Sequence, residues 1–129
     1  MSNCGCSGPS MMGDGVQVVL FPKYVTLTGN VASGYRYYSD AFDVTTFNVI
    51  DVEIDVLALS GTVRAQISTS SDGIQWSEPG GSGTVTIGAV ATIRLTMSGP
   101  KRFVKLVFDD WNSTADVAVL EARGVFRTS

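Results

Sequence analysis

From Val16 onward the chain breaks into short stretches rich in Val, Ile, Thr and aromatic residues, each closed by Gly, Asp, Asn, Ser or Pro. Turn signals at such short, even spacing predict strands over 16–21, 24–28, 40–44, 47–59, 62–69, 73–76, 84–87, 91–97, 102–108 and 116–126. No stretch carries a helical period. The clearest segment is Ile50-Asp51-Val52-Glu53-Ile54-Asp55-Val56, where apolar and acidic residues alternate, so one side belongs to a core and the other meets water.

A turn at Ser60-Gly61 would fold this strand back on 62–69 as a hairpin. Ala58 would then face Val63, Val56 face Ala65, Ile54 face Ile67 and Val52 face Thr69, with Asp55 opposite Gln66 and diagonal to Arg64 on the outer side. A slip of one residue would bury the acids, so the register is expected to be strongly specified. Ile93, Leu95 and Met97 form a second core line, Val104, Leu106 and Phe108 a third, and Ala118, Leu120, Ala122 and Phe126 a fourth. The fold class that follows is all-β: an antiparallel β-sandwich, jelly-roll-like, over residues 16–129, with sheets packed about 10 Å apart. No internal repeat is visible, which disfavours a propeller or solenoid.

Residues 1–15 read differently. They hold four Gly, three Ser and a Pro, and their apolar side chains are only three Met and two Cys. An arm of this composition cannot fold by itself, so it is expected to take its order from a neighbouring subunit, with Met11 and Met12 as anchors. Cys4 and Cys6 are too close in sequence for an ordinary disulfide and are read as reduced thiols.

Charge changes the picture further. Charged residues make up 16% of the chain against 44% hydrophobic, and the formal net charge is -3. Without a basic excess, sequence-independent nucleic-acid binding is not expected. The chain shows neither a bilayer-length apolar run nor the basic, apolar start of a signal peptide, so the expectation is synthesis in the cytoplasm with no membrane partner. Five acids lie between Asp40 and Asp55, whereas Arg94, Lys101, Arg102 and Lys105 follow within a short basic stretch. If these sets fall on opposite edges, copies can meet head to tail; Arg94, Lys101 and Arg102 are therefore candidate partner-binding residues.

Candidate chemistry is sparse. The chain has no histidine, which removes Ser-His and Cys-His nucleophile schemes along with the commonest metal ligand. Asp51, Glu53 and Asp55 share a strand face, and their expected state is a solvated outer surface rather than a glycosidase pair or a calcium site. Gly80-Gly81-Ser82-Gly83 lacks the Lys of a phosphate loop and is expected to be a flexible tip. Asp109-Asp110-Trp111-Asn112 is expected as a loop after the Phe108 strand, and Asn112-Ser113-Thr114 matches a glycosylation sequon. No catalytic residue, metal site or cofactor is assigned.

The string Ser70-Ser71-Asp72-Gly73-Ile74-Gln75-Trp76 stands apart. Asp72-Gly73 predicts a turn in which the Asp side chain caps backbone N–H groups, and Trp76 is expected mainly as a packing residue. The string resembles one found in discoidin-like sugar-binding sandwiches. That resemblance implies a glycan ligand stacked on Trp76, and a carbohydrate-binding module as the alternative function.

Across 16–126 the overall pattern resembles the small virion proteins of tailed phages, such as capsid-decorating, head-fibre and tail-attached sandwiches. The resemblance implies a non-enzymatic structural subunit of the virion. Such a subunit would bind copies of itself or other virion proteins through its arm and sheet edges, and no residue carries over by name.

Overall fold

The computed structural model describes residues 15–29, 36–113 and 115–129. Its strands are β1 (Val16–Thr28), β2 (Tyr37–Tyr38), β3 (Phe42–Asp43), β4 (Val49–Ser60), β5 (Val63–Ser70), β6 (Thr84–Ile87), β7 (Thr92–Ser98), β8 (Phe103–Asp109) and β9 (Val117–Arg127). They form two antiparallel sheets, an all-β sandwich. The first has the order β1-β9-β4-β7, and the second β2-β8-β5-β6 with β3 also on β8.

The pairings nest. β5 joins β6, β4 joins β7, β2 joins β8 and β1 joins β9. Each successive pair encloses the one before it along the chain. Period-two alternation explains why these segments are strands: in β9, Ala118, Leu120, Ala122, Gly124 and Phe126 are buried while the residues between them are partly exposed. All four expected core lines lie inside, except that Ile93 is only partly buried.

Aromatic rings tie the two sheets together. Phe21 of β1 meets Phe108 of β8 edge-to-face at 5.2 Å between centroids, and Phe42 of β3 meets Phe126 of β9 at 5.6 Å. Contacts of this kind contribute about 0.5–1.5 kcal/mol beyond the area they bury.

The expected hairpin does not form. β4 lies in the first sheet between β7 and β9, whereas β5 lies in the second between β6 and β8. Gly61, at φ +86°, turns the chain from one sheet into the other. The matched apolar sides of Val52, Ile54, Val56 and of Val63, Ala65, Ile67 do share one core, as members of opposite layers rather than as hydrogen-bonded neighbours. Asp55 consequently pairs with Thr92 and Glu121 in the ladder instead of facing Gln66 and Arg64.

Other boundaries shift for local reasons. The two strands expected over 16–28 are one edge strand, β1, whose register slips between Val19 and Phe21 and again between Phe21 and Val25. Pro22 lacks an N–H and Tyr24 has φ 68°, so regular pairing is broken there, a usual protection of an exposed edge. Residues 73–76 are not a strand; nearby, Ser77 makes an isolated bridge to Thr69. The supposed loop tip is a single 3₁₀ turn at Gly81–Gly83, in which Ser82 Oγ donates to Thr96 O of edge strand β7 (2.8 Å). Asp109 ends β8 and residues 110–112 form the expected loop, within which Trp111 turns inward and is buried in the core against Tyr37. Met11, Met12, Cys4 and Cys6 lie outside the described residues.

Candidate functional site

The outer side of the second sheet carries an unusual layer. Ser68 and Ser70 of β5 point away from the core yet have 0% exposure, because residues 71–80 fold back over them. The sequence builds that cover locally. Ser70 Oγ accepts from Gly73 N (2.8 Å), and Asp72 Oδ1 accepts from Ile74 N (2.8 Å) and Gln75 N (2.9 Å). These backbone N–H groups, with Ser70, hold the Asp72 carboxyl below its ordinary range. Gly73 takes φ +78°, as the turn requires.

Trp76 closes the cover. Its Nε1 donates to Gly73 O (3.2 Å), so the indole is anchored to its own turn. The Lys105 ammonium of β8 lies 4.2 Å from the Trp76 ring centroid and 3.9 Å from that of Tyr38 on β2. Trp76 and Lys105 are half-buried and Tyr38 is exposed at 52%. Sequence reasoning found Trp76 but missed the other two. Lys105 alternates outward in β8 and was legible as a surface residue; Tyr38 sits in a strand of two residues, too short to leave a periodic pattern.

Beneath and beside this cluster lies a set of paired charges. Arg36 Nη1 and Nη2 donate to Glu78 (3.2 and 3.3 Å), Arg64 donates through Nε and Nη2 to Asp109 (2.9 and 3.2 Å), and Gln66 Nε2 donates to Asp109 (3.0 Å). Arg36 Nε also lies 3.2 Å from Asp109. Burial raises the Glu78 carboxyl, but Ser68 and Arg36 outweigh it and hold it below its ordinary range. Burial pushes the Lys105 ammonium down. Among the described residues Lys105 has no hydrogen-bond or ion-pair partner.

The acidic strand face is the outer side of the first sheet. Asp51, Glu53 and Asp55 of β4 are flanked by bases and hydroxyls of both neighbours. Arg94 of β7 lies 2.7 Å from Glu53, Arg123 of β9 pairs with Glu53 and with Asp55 (2.9 Å to the latter), and Arg127 donates to Asp51 (2.6 Å). Thr92 and Thr96 donate to Asp55 and Asp51. This is an internally paired plate. The acids and bases do not separate to opposite edges as the head-to-tail idea requires: Arg94 sits on Glu53, and Arg102 lies 3.1 Å from Asp43. Lys101 is exposed, with its backbone N–H donated to Thr69 Oγ1.

No group of three or more carboxylate or thiol side chains that could hold a metal ion occurs among the described residues. No helix there is long and apolar enough to cross a membrane. No protein-family model matches the chain, and no curated protein is significantly similar to it.

Proposed function

We propose that this chain is a non-enzymatic structural subunit of a virus particle of the tailed-phage kind, built as a jelly roll and joined to copies of itself or to other virion proteins along its sheet edges. The observation that carries this reading is the strand order. β1-β9-β4-β7 over β2-β8-β5-β6, with pairs nested about the β5–β6 connection, is the order expected when one long two-stranded ribbon is rolled into two sheets. Jelly rolls serve in viral capsid and lectin domains, so the step from fold to role is made by architectural analogy.

Edge strand β1 gives the reading a surface. Val16, Val19 and Tyr24 are exposed at 47%, 63% and 68%, on the strand that directly follows residues 1–15. Large apolar side chains grouped on an edge mark a contact for another chain.

Light scattering of the full chain over a concentration series tests this, together with co-sedimentation with particles purified from the source of the gene. Association or particle binding is expected, lost in the double variant Val19→Glu, Tyr24→Glu and weakened in a chain starting at Gly15. A chain that stays monomeric throughout and fails to sediment with particles overturns the proposal.

A further inference from the structure

We infer that Tyr38, Trp76 and Lys105 form a binding site for an acidic saccharide, a uronate-, sialate- or sulfate-bearing glycan. This stands on different observations from the assembly role and holds whether or not the chain belongs to a particle.

The argument starts from Lys105. A half-buried ammonium ordinarily finds a carboxylate, because removing a charge from water is costly unless it is compensated. Here the nearby carboxylates are already taken. Glu78 is held by Arg36 and Ser68, and Asp109 by Arg36, Arg64 and Gln66. Lys105 feels the Glu78 charge without an ion pair to it, and its ammonium lies on the faces of two rings, at 3.9 and 4.2 Å. Those rings attract the cation through their quadrupoles but accept none of its three N–H donors in an ordinary hydrogen bond. The ammonium is thus held in place without a protein acceptor among the described residues, at a point where Tyr38 is 52% exposed.

A ligand that satisfies this arrangement needs two features. It needs an anionic oxygen acceptor for Lys105 and an apolar ring face to lie on Tyr38. A pyranose bearing a carboxylate or sulfate supplies both, since its C–H face packs on an aromatic ring while its hydroxyls remain in water. Single-stranded nucleic acid also joins a π-face to an anion. It would, however, require a basic track along its backbone, and this chain carries a net charge of -3. Trp76 is a wall rather than a second platform, because it is half-buried with the Lys105 ammonium on its ring, whereas Tyr38 is 52% exposed.

The full chain would be applied to an array of uronate-, sialate- and sulfate-bearing oligosaccharides printed beside their neutral parents, and hits titrated by calorimetry. Binding to one acidic class is expected, and the class that binds distinguishes a carboxylate from a sulfate ligand. Lys105→Met keeps the apolar stem and should weaken that binding by about tenfold or more, whereas Tyr38→Ala should weaken the acidic ligand and any residual binding of the neutral parent alike. Circular dichroism of both variants should match the parent, since neither residue lies in the core. The inference is overturned if no acidic saccharide binds saturably, if Lys105→Met retains the parental affinity, or if an oligothymidylate control binds as tightly as the best glycan.

Discussion

Gly61 and Asp116 are packed so closely that no side chain fits between them. A Cβ built on Gly61 would lie 2.1 Å from Asp116 Cγ and 2.2 Å from each carboxylate oxygen, and Gly61 itself has φ +86°. Asp116 is buried, accepts Ser113 N–H through Oδ2 (3.1 Å), and receives Gly29 N–H on its backbone oxygen (2.6 Å). Gly61→Ala is expected to lose about 2–4 kcal/mol, combining left-handed strain with displacement of a buried carboxylate. Gly99→Ala isolates the first effect: its φ is +65° and nothing lies within 4 Å of the added atom. That change should cost only about 1–2 kcal/mol. Denaturant midpoints compare the two, and equal losses would show that the Asp116 contact is unimportant.

Glu53 and Arg123 offer a direct test of which strands share a sheet. Both side chains are about a third exposed, so the coupling should be modest, about 0.5–1.5 kcal/mol in a double-mutant cycle with Glu53→Gln and Arg123→Gln. A cycle of Asp55→Asn with Arg64→Gln should give a coupling near zero, because Arg64 belongs to the other sheet and pairs with Asp109. The reverse pattern would restore the β4–β5 hairpin.

Acid should destabilise the domain. Arg123 holds the Glu53 carboxyl below its ordinary range, Thr92 does the same for Asp55, and Ser68 with Arg36 does so for Glu78 against the opposing effect of burial. In each case the folded state binds the proton less readily than the unfolded chain. Their contribution is therefore complete above the unfolded carboxylate range, about pH 4–4.5, and is lost as pH falls from there through the lower folded values. Thermal melts should show little change in this contribution between about pH 6 and 8 and a falling Tm below about pH 4.5, with a shallower fall in Glu53→Gln.

The cover over β5 should loosen when its turn is cut. Asp72→Ala removes the acceptor for the Ile74 and Gln75 amides. Faster hydrogen exchange at those two positions is expected, while amides of β4 and β9 keep their protection. Unchanged exchange at both would mean that the Ser70, Trp76 and Glu78 hydrogen bonds and the Thr69–Ser77 bridge hold the segment down without Asp72.

Strand positions and inward residues were legible in the sequence because burial imposes a period of two, which β4 and β9 display openly. Partner choice was not, for a physical reason. The apolar sides of β4 and β5 complement each other equally well whether the strands lie side by side or face each other across a core. The polar sides held the answer. Glu53 finds Arg94 and Arg123, Asp51 finds Thr96 and Arg127, and Arg64 finds Asp109, so matching charges would have selected the observed neighbours where matching apolar residues could not. Trp76 was visible from its turn motif. Its companions come from β2 and β8, distant in sequence, and only the strand pairing of the second sheet brings them together.

The place of β9 sets the order in which this domain can be made. It is the last of the described strands to be synthesised, yet it stands between β1 and β4 and pairs with both along most of its length. Until it emerges from the ribosome, β1 lacks a partner among the described strands of its sheet and β4 has β7 alone among them. The nascent chain must therefore wait with apolar strands unsheltered, and consolidation comes as a single late event. Such dominance by distant pairings makes folding slow, and any pause or truncation before β9 leaves a sticky, half-built sheet exposed to chaperones, proteases and other nascent copies.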